Sequence, residues 1–144
     1  MYNVFIYILI ILICIIAMEI VAIVTHKYIM HGPGWFLHKS HHVKHDNAFE
    51  LNDFYFVIFS SPSIFSIVYG VLYSNYIMLS IGIGILAYGL IYIFLHDILV
   101  HQRFGIKVRT KLSYLKKIRK AHHEHHQTKT KEGATNFGFI TYFK

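Results

Sequence analysis

Histidines are the side chains of this sequence that are best placed to do chemistry. There are twelve among 144 residues, and eleven of them fall in four short clusters that read HKYIMH, HKSHH, HDILVH and HHEHH. A neutral imidazole is a common ligand of zinc, copper, iron and nickel in proteins. The clusters therefore predict a metal centre, and their spacing leaves the identity of the metal open.

The clusters use two spacings. HKSHH and HHEHH each place histidines at i, i+3 and i+4, which share one face of an α-helix, so we expect each trio to point at one centre. The other two clusters space their histidines by five residues, about 140° apart at ~3.6 residues per turn, so each pair converges only where the helix ends or distorts. The residues Gly32, Pro33 and Gly34 supply such an ending after the first pair.

These patterns predict ten metal ligands, which are His26, His31, His38, His41, His42, His96, His101, His122, His125 and His126. Ten imidazoles would satisfy two six-coordinate metal ions and leave positions open for a small ligand. A zinc peptidase is not supported, because Gln127 stands where an HExxH motif needs its second histidine. A b-type haem is also disfavoured, because its axial histidines would be expected inside membrane spans.

Long apolar segments must position these histidines. Residues 4–24, 54–73 and 76–95 are each about long enough to cross a bilayer, and a tight turn at Ser74 and Asn75 joins the last two. The single cysteine, Cys14, lies within the first segment, which excludes a disulfide framework or a thiolate site. The sequence predicts an all-α integral membrane protein, one domain over residues 1–144, with three transmembrane helices and cytoplasmic helical segments that carry the metal site.

The orientation in the membrane follows from charge. All fourteen lysines and arginines lie in residues 25–53 and 101–144, and positive residues stay on the cytoplasmic side. All twelve histidines would then lie on that side, at or just beyond the helix ends. The membrane also accounts for the basic residues 107–120, so we predict no nucleic-acid partner.

Several further residues are candidates to support the ligands. Glu19, Asp53 and Asp97 are predicted to accept the second N–H of ligating histidines, with helix capping or an interfacial position as the alternative. His45 would return to the face of His38 if that helix continued, as a supporting residue or an extra ligand. His123 lies at the edge of the ligand face, and we expect its replacement to be tolerated.

The residues around the histidines carry a family resemblance. The segments MEIVAIVTHKYIMHG, WFLHKSHH, AFELNDFYFVIF, HDILVHQRF and AHHEHH through NFGF resemble bacterial β-carotene hydroxylases of the membrane fatty acid hydroxylase superfamily. The resemblance covers residues 18–139. The histidine pattern alone would indicate the superfamily, and the surrounding segments carry the narrower match.

The resemblance implies a non-haem di-iron monooxygenase of the bacterial inner membrane. Such an enzyme uses O2 and electrons from ferredoxin or an NAD(P)H-dependent reductase to hydroxylate carbon 3 of β-ionone rings, converting β-carotene to β-cryptoxanthin and then zeaxanthin. Its partners would be membrane lipid, the carotenoid substrate and an electron-donor protein. The alternatives are another lipid hydroxylase or desaturase, acting on fatty acids or sterols, or a histidine-rich metal-binding or metal-transport membrane protein.

Overall fold

The fold is given by a computed structural model, which describes residues 2–43 and 49–142. Every regular element among those residues is helical, and this confirms the predicted fold class. The five α-helices are α1 Tyr2–Val24, α2 Trp35–His42, α3 Asp53–Leu72, α4 Tyr76–Tyr92 and α5 Ser113–His125. Two π-helical turns, Thr25–Met30 and Ile93–Val100, follow α1 and α4 without a break, and a 3-10 turn covers Arg103–Gly105.

Within the described part of the chain, three helices are long and apolar enough to cross a membrane, as predicted: Asn3–Met30, Asp53–Leu72 and Tyr76–Val100. The first and third extend past the predicted ends at residues 24 and 95. They do so because the polar residues that follow, His26 and His96, stay in the helix as buried side chains within the π-helical turns.

The described chain clusters into two compact units. The first contains Met1–Met18 and Tyr55–Ile91. Its helices approach closely at glycines: a Cβ added at Gly82 would lie 2.7 Å from Cγ1 of Ile67, and one added at Gly84 would lie 2.5 Å from Cβ of Cys14. Small residues allow this contact between membrane helices, which lack a hydrophobic driving force for association.

The predicted tight turn between the last two spans is confirmed. Ser74 adopts a positive φ of 51°, and the backbone N–H of Asn75 donates to the Gly70 carbonyl at 2.9 Å. The Asn75 side-chain oxygen then accepts the backbone N–H of Met78 at 3.0 Å, which satisfies a free donor at the start of α4.

The second unit contains Glu19–Phe54 and Tyr92–Lys144, and with them all ten predicted ligands. Within it, α5 has two faces. Ile118 and Ala121 are buried together with two histidines, whereas Lys116, Lys117 and Lys120 are exposed. The helix thus presents ligands on one side and positive charge on the other. That residues 1–144 form a single domain stays a prediction.

Candidate metal centre

The ten predicted ligands form two groups of five. The first histidine group contains His26, His31, His38, His42 and His125. The second histidine group contains His41, His96, His101, His122 and His126. In each group, one ring nitrogen from every member lies within 4.8 Å of the corresponding nitrogens of the other four. Each group therefore offers five nitrogen ligands around a common point.

The π-helical turns bring together the histidines that are five residues apart. The backbone N–H of His31 donates to the carbonyl of His26 at 3.0 Å, and His101 donates to His96 at 2.9 Å. A π-type bond from i+5 to i stacks these residues on one face, whereas an α-helix would hold them about 140° apart. The predicted distortion is thus confirmed. The distortion is a wider, π-helical turn in both pairs. In the first pair this turn ends before Gly32, and in the second pair it contains no glycine or proline.

The HxxHH trios do not each point at one centre, and that expectation was wrong. His38 and His42 join the first group, whereas His41 joins the second. On an α-helix, residues i and i+4 differ by only about 40°, but i+3 and i+4 differ by about 100°. The middle histidine of the trio, His41, therefore points to a different side of α2 from His38 and His42. The trio of α5 behaves in the same way, because it gives His125 to the first group and its other two ligands to the second.

Each group is consequently built by the same rule. It contains a pair spaced by five from a π-helical turn, a pair spaced by four from one HxxHH trio, and a single ring from the other trio. The two groups are in contact, since the rings of His42 and His126 stack with centroids 4.5 Å apart.

Backbone carbonyls orient four rings of the first group through Nδ1. His26 donates to Phe137 at 2.9 Å and His31 donates to Lys131 at 3.0 Å. The other two bonds run from His42 to the Thr128 carbonyl at 2.8 Å and from His125 to the Thr135 carbonyl at 2.7 Å. The segment that follows α5 thus supplies all four acceptors.

Side chains orient three further rings. Nδ1 of His38 donates to Oδ1 of Asn52 at 2.6 Å. The carboxylates of Glu50 and Asp97 accept Nδ1–H of His41 and His96 at 2.7 and 2.8 Å, respectively. Because carbonyl and carboxylate oxygens can only accept, Nδ1 carries the hydrogen in all seven rings, and the lone pair of a neutral ring lies on Nε2.

The inward nitrogens fit a metal ion. Nε2 of His38 lies 3.1 Å from that of His26 and 3.2 Å from that of His42, and the Nε2 atoms of His41 and His96 are 2.9 Å apart. Two lone pairs at this separation repel each other unless a cation lies between them. Two nitrogen ligands bound at right angles and about 2.1 Å from one metal would also be about 3 Å apart.

Burial keeps these rings neutral. It lowers the pKa of His38 and His125 to about 3 and that of His42 to about 4, because a charged imidazole loses its hydration there. The pKa values of His41 and His122 are lowered well below 6.5 for the same reason. Neutral imidazole is the form that binds metal, so the environment favours the ligand state.

The predicted supporting carboxylates have different contacts. Asp97 accepts the N–H of His96, as expected of it. Asp53 instead binds both terminal nitrogens of Arg103 at 2.8 Å, and Glu19 accepts four hydrogen bonds from residues 139–141. His45 lies outside the described residues, and α2 already ends at His42. His123 is exposed and belongs to neither group.

Sequence reasoning missed Glu50, Asn52 and Arg103. Glu50 and Asn52 stand in the segment AFELNDF directly before α3, and a polar acceptor beside the start of a membrane helix is a sequence signal that could have identified both. Arg103 follows His101 by two residues. It lies in the segment HDILVHQRF, which carries the family resemblance, but no pairing with a carboxylate was predicted for it.

Two aromatic rings of the carboxy-terminal segment pack against histidines of the two groups. Phe139 stacks on His26 at 5.2 Å and meets the edge of His96 at 5.3 Å, so it contacts both groups. Phe137 packs edge-on against His26 and His125 at 5.4 and 5.2 Å. The NFGF segment therefore covers histidine rings of both groups, and its Phe137 carbonyl orients His26.

Comparison with known proteins gives the family. The sequence profile named "Fatty acid hydroxylase" matches residues 11–144, which include both histidine groups. The chain belongs to the fatty acid hydroxylase family. Proteins named beta-carotene hydroxylase are similar to this family member: that of Pantoea ananas is 45% identical over 132 residues, which cover 92% of this chain and 75% of that one.

Two further proteins of the same name are similar over most of their length. The one from Pseudescherichia vulneris is 43% identical over 132 residues, covering 92% of this chain and 74% of its own. The one from a Paracoccus species is 40% identical over 133 residues, covering 92% and 82%. No solved structure matches the chain.

Family and geometry together define the general chemistry. A fatty acid hydroxylase family member with two groups of five inward-facing imidazoles is a metal-dependent oxygenase. Its three membrane-capable helices make it an integral membrane protein.

Proposed function

We propose that this protein is a β-carotene 3-hydroxylase that acts on the β-ionone rings of carotenoids. The observation that carries the proposal is the similarity, at 40–45% identity over 92% of the chain, to three bacterial proteins named beta-carotene hydroxylase. Successive reactions on the two rings would give β-cryptoxanthin and then zeaxanthin. Each adds one oxygen atom of O2 to a ring carbon and reduces the other to water with two electrons and two protons.

We propose that two non-haem iron ions occupy the two histidine groups, where they would supply the activation of O2. The chain's own residues hold the imidazoles in place for this task. Seven rings are oriented by their Nδ1–H bonds, and burial keeps the rings neutral so that Nε2 is free to bind. The first group is fully buried, which excludes bulk water from that side.

The electrons have to come from another protein, and we propose ferredoxin or an NAD(P)H-dependent reductase as the donor. The carotenoid is dissolved in the membrane and would reach the enzyme from the lipid. We further propose the bacterial inner membrane as the location, with both histidine groups facing the cytoplasm. The charge distribution supports this orientation, because residues 25–53 and 101–144 hold every lysine and arginine.

The orientation can be tested with reporter fusions. A reporter active only in the periplasm should be silent after Lys144 and active when it is inserted between Ser74 and Asn75. A periplasmic carboxy terminus would contradict the proposed orientation.

The activity can be tested by expression in a bacterium that accumulates β-carotene, followed by chromatography of the pigments. The protein should convert β-carotene to β-cryptoxanthin and zeaxanthin. His42→Ala should abolish the products, and His123→Ala, which changes an exposed histidine of the helix that also carries His122 and His125, should retain them. Unchanged carotene, with metal bound and electron supply proven, would favour a fatty acid or sterol as the substrate instead.

A further inference from the structure

We propose that the two histidine groups bind metal with unequal strength, and that the second histidine group is the tighter one because two carboxylates accept hydrogen bonds from its rings. This inference rests on the proposed occupation of both groups by metal. It assigns Glu50 and Asp97 as positioning residues that act through the imidazoles rather than by touching the reacting atoms.

The second histidine group has two carboxylate–imidazole pairs. Glu50 holds His41 at 2.7 Å, with the two side chains 5% and 3% exposed. Asp97 holds His96 at 2.8 Å, with the two side chains 15% and 2% exposed. A carboxylate that accepts the outer N–H of a ligating histidine makes the ring a stronger donor and fixes its orientation.

The first histidine group has uncharged partners on all five rings. Four rings donate to backbone carbonyls, and the fifth, His38, donates to the amide oxygen of Asn52. A divalent ion in this group would be surrounded by neutral dipoles in a fully buried site. Burying a charge without a counter-charge is costly, so we expect the ion to bind more weakly there.

Arg103 reduces the negative charge behind the second group without removing it. Its guanidinium makes two 2.8 Å bonds to Asp53, while its Nη1 is farther from Glu50 and Asp97, at 3.8 and 3.7 Å. Three carboxylates and one guanidinium leave a net charge of −2 when all are ionised. His101 and His126 are only half-buried, which admits some screening by solvent, but the Glu50 side chain itself is buried.

The inference can be tested by titrating the full-length, metal-free protein in detergent with Co²⁺ and following the absorption of the bound ion. The wild-type protein should bind two equivalents in two steps whose affinities differ about tenfold or more. Glu50→Gln should weaken the tighter step by about 10–100-fold, the usual effect of losing such a partner, and leave the weaker step unchanged. Asn52→Asp places a carboxylate behind the first group and should strengthen the weaker step.

Single-ligand variants assign the steps. His26→Ala should impair the weaker step, and His122→Ala should impair the tighter one. If Glu50→Gln does not elute from a gel-filtration column as a single species, Asp97→Asn is titrated in its place. Asn52→Asp is an independent test. Equal affinities in the wild-type protein, or a loss in the weaker step on removing a carboxylate, would overturn the inference while leaving metal binding intact. Failure of the wild-type protein to bind any metal would instead overturn the proposed function.

Discussion

Replacing Glu19 should release one metal ion in preference to the other. Glu19 lies in the first span, is 6% exposed, and its Oε1 accepts hydrogen bonds from the backbone N–H groups of Phe139, Ile140 and Thr141 and from the Thr141 hydroxyl. These bonds hold the carboxy-terminal segment against the first histidine group. Glu19→Ala should therefore loosen the segment whose carbonyls orient His26 and three other rings of that group.

The size of the effect follows from the four bonds. The Phe139 N–H is buried, and leaving it unpaired costs about 1–3 kcal/mol, whereas water can reach the other three donors, whose lost bonds cost about 0.5–1.5 kcal/mol each. Together these terms give roughly 2.5–7.5 kcal/mol for docking of the segment. Loss of the orienting carbonyls should then weaken metal binding by the first group about 10–100-fold.

The assay is the metal content of purified protein after dialysis against a competing chelator. Glu19→Ala should keep about one equivalent under conditions in which the wild-type protein keeps two, and Glu19→Gln, which preserves an acceptor oxygen, should fall between them. Glu124→Ala is the matched control, because it removes the same charge from an exposed pair with Lys120. If Glu19→Ala retains both equivalents and resists protease in residues 127–142 like the wild-type protein, the anchoring role is refuted.

Three further outcomes are expected. His122→Ala should abolish hydroxylation and lower bound metal, whereas His123→Ala should leave pigment conversion within about twofold of wild type, because His123 is exposed. Gly138→Ala should reproduce the Glu19→Ala metal loss, since an added Cβ would lie 2.6 Å from the Thr141 carbonyl and 2.9 Å from Glu19; unaltered metal retention would contradict this. The metal-free protein should lose thermal stability as the pH falls from about 6.5 towards 4. The unfolded chain takes up protons in this range, while burial holds the pKa of His42 at about 4 in the folded state. A melting temperature that is constant over this range would contradict the last expectation.

The ten histidines that form the two groups could be predicted from the sequence, because a histidine is visible as a residue type and its spacing restricts where it points. The division of these histidines into two groups could not be predicted. It depends on the angles of ~40° and ~100° between the histidines of each HxxHH trio around the helix axis, and on which histidines of other elements lie on each side of the helix. The assumption that three residues on one helix face share one centre failed at His41 and His125, which cross to the other group.

Other features have no signature in residue types. The π-helical turn at His96 contains no glycine or proline that would mark a distortion. The acceptors for His26, His31 and His42 are backbone carbonyls, which every residue possesses. Glu19 was expected to assist a histidine directly, and its charge instead anchors the segment that carries such carbonyls.

The order of the ligands along the chain has a consequence for biogenesis. Both groups draw a member from the α5 trio: the first needs His125 and the second needs His122 and His126. A ribosome-bound chain that has inserted all three spans still has neither group complete, since α5 begins at Ser113 and its histidines emerge last. A metal ion that needs all five imidazoles of a group could therefore bind only after membrane insertion of the three spans. A chain that is cleaved ahead of α5 would carry two incomplete groups.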